Sequence, residues 1–96
     1  MNIEDLKAKY GKRLKIMTIS ISEDEKYEFA VVRPSRHVIM AMASKKDDLE
    51  AANDVLIKNC VQAGDMEALE DAAVYTKMIE TLGEMMAGAQ AFIKNA

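Results

Sequence analysis

The sequence predicts an α+β fold: an N-terminal antiparallel β-hairpin at about residues 14–33, followed by three or so α-helices. Two runs rich in β-branched and aromatic residues flank a short polar stretch, the pattern of paired strands. Pro34 closes the second run, and beyond it apolar residues recur at helical spacing with no further proline. Ninety-six residues, half of them apolar and 30% charged, suit one globular domain with a single core.

Ahead of the hairpin, Asn2 to Lys9 reads as a short helix, with Asn2 as its cap, Glu4 and Asp5 in the first turn, and Gly11 as its end. The first strand is Leu14 to Ile21, L-K-I-M-T-I-S-I, and the second is Lys26 to Arg33, K-Y-E-F-A-V-V-R. The polar Ser22-Glu23-Asp24-Glu25 between them is short enough to return the chain antiparallel. The two-residue Asn-Gly signal is absent, which leaves the turn type open. Alternation puts Leu14 and Ile16 on one face and Met17, Ile19 and Ile21 on the other. A hairpin alone is marginal in water, so these apolar faces call for helices or for another chain's strand.

Ser35 then caps a helix over about 35–45 through Val38, Ile39, Met42 and Ala43. Asp47, with Glu50 three residues on, opens a second over about 47–63, with Leu49, Ala52, Leu56 and Cys60 on its apolar side and Gly64 as its stop. The third runs over about 66–94, with room for a break near Glu70-Asp71. It carries two apolar stripes: one includes Leu69, Ile79, Met86 and Ile93, the other Tyr75, Met78, Leu82, Met85 and Phe92. One stripe suffices for a surface helix, so the second predicts contact with another element or another chain.

Charge is unevenly placed. Residues 1–46 hold 10 Lys+Arg against 6 Asp+Glu, and residues 47–96 hold 3 against 10, within a net charge of -3. Such polarity steers a partner or a second copy, while the acidic whole argues against a nucleic-acid partner. One cysteine, Cys60, permits no internal disulfide and forms no zinc-like cluster, which fits a reducing compartment. The first ten residues lack a signal-peptide pattern, and no apolar run of roughly 20 residues offers a membrane span. The expected setting is cytoplasmic, with no membrane partner.

Few residues invite chemistry. Arg33, Arg36 and the lone His37 cluster where the 35–45 helix starts, a candidate anion-binding set in which guanidinium and backbone N–H groups would hold a phosphate or carboxylate. The plainer reading is a solvated basic helix start. No nucleophile motif, calcium loop or glycine-rich phosphate loop is present, so no catalytic residue, metal ligand or cofactor is expected. Cys60 reads as a small core hydrophobe. Gly83 and Ala87 form a small-xxx-small pair that would let a helix approach. Eight methionines are many for this length. Met78, Met85 and Met86 suit either core filling or an adaptable interface, and Phe92 and Ile93 favour the interface. Met78, Leu82, Met85, Met86, Phe92 and Ile93 are accordingly the expected protein contacts.

The order of L-K-A-K-Y-G-K at Leu6 to Lys12, a strand pair, Arg33-Pro34-Ser35-Arg36 and V-L-I-K-N-C-V-Q-A-G-D from Val55 to Asp65 resembles the tail assembly chaperones of long-tailed phages and prophages. That resemblance covers most of the chain. It implies a non-catalytic protein that binds the tape measure protein and recruits tail tube subunits in the bacterial host cell, with a longer frameshifted form in many phages. The hairpin departs from the family's mainly helical description. Apart from the resemblance, the doubled apolar stripes and half-chain charges predict a protein partner and self-association into a homo-oligomer.

Overall fold

The computed structural model describes residues 2–95. Helix α1 (Ile3–Tyr10) leads through a 3-10 turn, Gly11–Arg13, into strands β1 (Leu14–Ser20) and β2 (Lys26–Val32). Helices α2 (Arg36–Ala43) and α3 (Leu49–Cys60) follow. Strand β3 (Val61–Gly64), a 3-10 segment (Met66–Glu70) and helix α4 (Ala72–Met86) complete the fold. The class is mixed α+β, but the hairpin is not the first element, because α1 precedes it. Asn2 fixes that start: its side-chain oxygen accepts from the Asp5 N–H at 3.1 Å.

The sheet is antiparallel in the order β1-β2-β3. β1 pairs with β2 along its whole length, Leu14 opposite Val32 and Ser20 opposite Lys26. The connecting loop is closed by Ile21 N–H to Glu25 O at 2.9 Å and Glu25 N–H to Ser22 O at 3.4 Å. Among the described residues only glycines have positive φ, so this is neither of the mirror-image turns that short hairpins favour.

β3 overturns the expected helix through residue 63. α3 stops at Cys60 because Val61 turns extended, φ -87 and ψ 110, and its chain joins β2. The pairing slips between Ala30 and Val31, leaving Gln62 as a bulge. Gln62 accepts from the Tyr10 hydroxyl at 2.9 Å and donates to Asn59 O at 2.8 Å, tying α1 to the sheet. Gly64 is a strand residue rather than a helix stop. It sits at φ 130, and a Cβ there would collide with Glu28 O and lie 2.7 Å from Phe29 Cα, so only glycine fits this approach.

The caps place the helices. Ser35 opens α2, its hydroxyl accepting from Val38 N–H at 3.4 Å. Asp48, not Asp47, opens α3, accepting from Ala51 N–H at 3.0 Å. Asp71 accepts from Ala73 and Val74 N–H at 2.8 and 3.3 Å and starts α4, which is the break expected near Glu70-Asp71. α4 ends at Met86 instead of running to residue 94. Gly88 weakens the next turn, and the exposed residues 87–95 have no surface to pack on, which a short helical extension needs.

The core lies between one sheet face and the helices. Met17, Ile19, Phe29, Val31 and Val61 supply the sheet side; Val38, Leu56, Cys60, Val74, Met78 and Leu82 supply the helical side. In α4 the buried line is Val74, Met78 and Leu82, spaced by four, so one of its two predicted stripes is this chain's own core. Ala30 and Val32, alternating to the other face, are buried as well, whereas Ile16 on that face of β1 is half exposed.

Candidate interaction surface

The expected contact residues divide. Met78 and Leu82 have no exposed surface, which makes them core and corrects their assignment as contacts. Met85 is half-buried and packs against the core. Met86, Phe92 and Ile93 are on the surface, the last two 87% and 97% exposed. Since α4 ends at Met86, Phe92 and Ile93 belong to an irregular segment rather than to a helical stripe. Gly83 gives no close helix approach, because a Cβ there would meet nothing within 4 Å.

A surface that the sequence did not single out lies between α3 and α4. Two adjoining depressions share Asn53 and Tyr75. The half-buried Leu69, Tyr75 and Ile79 give them an apolar floor, and the exposed Leu49, Glu50, Asp54, Glu70 and Glu80 stand around it. Leu49 is 75% exposed, the largest exposure of a large apolar residue within the described helices and strands. The only ion pair among the described residues joins Glu80 to Lys77 at 3.1 Å on the outer side of α4; the other three carboxylates carry no such pairing. The groove is therefore apolar at its base and acidic at its rim. Leu69 and Ile79 were in the first α4 stripe and the acidic excess was plain in residues 47–96, but their convergence with α3 depends on how the helices pack.

The basic set at the start of α2 is exposed throughout: Arg33, Arg36 and His37 all face solvent. The hydroxyl of Ser35 already occupies one N–H of that helix end, and Arg33 O accepts from the Arg13 guanidinium at 2.9 Å. The three side chains share a neighbourhood but line no pocket of those described.

Cys60 is buried, and burial pushes its thiol up to about 11, against a smaller lowering by Arg13. This is the setting of an inert core thiol. The Tyr27 hydroxyl donates to Glu25 Oε2 at 2.6 Å, and that bond raises its pKa. The depression beside it is lined by Lys26, Tyr27, Gly64, Asp65, Met66, Glu67 and Ala68. Among the described residues no group of three or more His, Cys, Asp or Glu converges as metal ligands. Among the described residues no helix is long and apolar enough to cross a membrane. Comparison of the chain with protein-family models, curated proteins and solved structures returned no match.

Proposed function

We propose that this protein is a non-catalytic binding module whose α3–α4 groove takes an amphipathic, basic helical segment of another protein. The single observation behind this reading is the groove's composition. Leu49, Leu69, Tyr75 and Ile79 offer apolar contact to one helix face, and Glu50, Asp54 and Glu70 meet Lys or Arg flanking that face. Acidic rims add on-rate and selectivity, while the apolar floor supplies the affinity. The exposed Phe92 and Ile93 give the same client a second, adaptable contact, with Met86 beside them in the chain.

The resemblance to tail assembly chaperones supplies the client: the helical tape measure protein, with tail tube subunits recruited to it. Covering its apolar faces would keep it soluble until it is used. The test is a titration of the labelled chain with a synthetic amphipathic helix bearing lysines along its polar face, followed by amide chemical shifts. Shifts are expected at Leu49, Asn53, Leu69, Tyr75 and Ile79, and Ile79→Glu should abolish them. Shifts confined to other elements would discard the groove. For the client, co-expression with a tape measure protein should increase that protein's soluble fraction, and an unchanged fraction would discard the chaperone role.

A second reading, an anion- or nucleotide-sensing domain, rests on the joint exposure of Arg33, Arg36 and His37 at the α2 start. It requires phosphate-bearing ligands to raise the melting temperature, and Arg33→Glu with Arg36→Glu to cancel that rise.

A further inference from the structure

We infer that the free edge of β1 is a homodimer interface, in which β1 of one copy pairs antiparallel with β1 of a second about a two-fold axis at Met17. The inference is independent of the groove and its client.

The backbone sets which groups are free. Ile21 N–H bonds to Glu25 O at 2.9 Å and Arg33 N–H to Arg13 O at 3.3 Å, one bond at each end of the β1–β2 ladder. In an antiparallel pair, hydrogen-bonded residues alternate with residues whose N–H and C=O face away. Arg13, Lys15, Met17, Ile19 and Ile21 therefore point their backbone groups at β2. Leu14, Ile16, Thr18 and Ser20 point theirs outward, where the sheet order gives β1 no neighbour.

This edge is long, unbulged and free of proline, and its one charged side chain is Lys15. Edge strands are commonly shortened, bulged, covered or interrupted by proline. β3, the other edge, is four residues long and bulged at Gln62, whose side chain is already bonded to Tyr10 and Asn59. β1 is seven residues long with an unbroken register and no proline. Ile16 and Ile21, at 50% and 41% exposure, leave apolar surface along it.

Charge and register select a second copy as the occupant. The chain entering β1 carries Lys12, Arg13 and Lys15, and the loop leaving it carries Glu23, Asp24 and Glu25. Centring the two-fold on Met17, the middle of the strand, sets Ile16 opposite the partner's Thr18 and Leu14 opposite its Ser20. All four are outward-facing residues, so their N–H and C=O groups meet as hydrogen-bonded pairs. The same arrangement brings the basic end of each strand to the acidic loop of the other, twice. A parallel pairing would set basic end against basic end and acidic loop against acidic loop. One strand pair is a small interface, so the dimer is weak and concentration-dependent, and salt loosens it.

The test is sedimentation equilibrium of the full chain over a range of concentrations and salt. Wild type should show a monomer–dimer equilibrium that shifts to monomer as salt rises. Thr18→Pro removes an outward N–H without touching the β1–β2 ladder, and should weaken the dimer about tenfold or more while circular dichroism keeps the monomer's folded signature. Two further variants keep the question decidable if that proline unfolds the chain. Glu23→Lys with Asp24→Lys makes both ends basic, and Lys12→Glu with Lys15→Glu makes both acidic. Each alone should be monomeric, and the two mixed should form a heterodimer. A wild type that stays monomeric at every concentration overturns the inference. So does a folded Thr18→Pro chain that dimerises as wild type does, or a mixture of the charge variants that stays monomeric.

Discussion

Gly64→Ala isolates the closest backbone approach in the sheet, with Gly11→Ala as its control. Both glycines have positive φ, 58 at Gly11 and 130 at Gly64. Holding alanine in such sparsely populated backbone costs about 1–3 kcal/mol. At Gly11 this is the whole effect, because an added Cβ meets nothing within 4 Å. At Gly64 the Cβ runs into Glu28 O and Phe29 Cα, so β2 and β3 must separate. Two bonds are then lost: Asp65 N–H to Glu28 O at 3.0 Å and Glu28 N–H to Asp65 Oδ2 at 2.9 Å. At about 1 kcal/mol for the neutral bond and about 2 kcal/mol for the carboxylate one, Gly64→Ala should cost roughly 3 kcal/mol more than Gly11→Ala. Urea denaturation followed by circular dichroism measures both, with equal slopes securing the comparison. If the two variants differ by less than about 0.5 kcal/mol, the extrapolation uncertainty being the limit, β3 does not approach β2 as described.

Met78→Ala and Leu82→Ala should each cost about 2–5 kcal/mol by opening a cavity in the core, whereas Phe92→Ala and Ile93→Ala should stay within about 0.5 kcal/mol of wild type; chemical denaturation separates the pairs. Asp48→Ala should cost about 1 kcal/mol through its lost cap, and Asp47→Ala close to nothing. Cys60 should resist thiol reagents in the native state and react on unfolding. Its folded pKa of about 11 lies above the ordinary 9.0, so the unfolded chain loses its proton first. The stability that the neutral thiol contributes is therefore whole below pH 9 and lost as pH climbs toward 11. A Cys60→Ala chain should lack that component of the alkaline decline in a thermal-melt series.

Much of the architecture was legible locally. β-branched runs and alternation found both hairpin strands and their faces, and Met17 and Ile19 are indeed core. Asn2, Ser35 and the break at Asp71 were readable because caps act within three residues. β3 was not readable. Val-Gln-Ala-Gly has one β-branched residue and continues the helical spacing of Leu56 and Cys60, so only its pairing with β2 makes it a strand. The far end of α4 failed for the opposite reason: its periodicity persists to Ile93, but periodicity makes a helix only where there is something to pack against. For the surface, the same limit applied. Sequence spacing identified Met78 and Leu82 as apolar without telling inside from outside, and the α3–α4 groove exists only through the juxtaposition of two helices distant in sequence.

The position of α4 bears on how the chain is made. During synthesis the β1–β2 hairpin precedes three of the fully buried side chains that cover its core face, Val74, Met78 and Leu82, which are translated only after α2, α3 and β3. A two-stranded hairpin has little stability of its own, and its middle strand must also wait for β3 to close the far edge of the sheet. The nascent chain therefore carries an uncovered apolar sheet face, and an open β1 edge, until α4 has been translated. Folding becomes possible only when α4 clears the ribosome. Until then the exposed strands are where co-translational aggregation would begin.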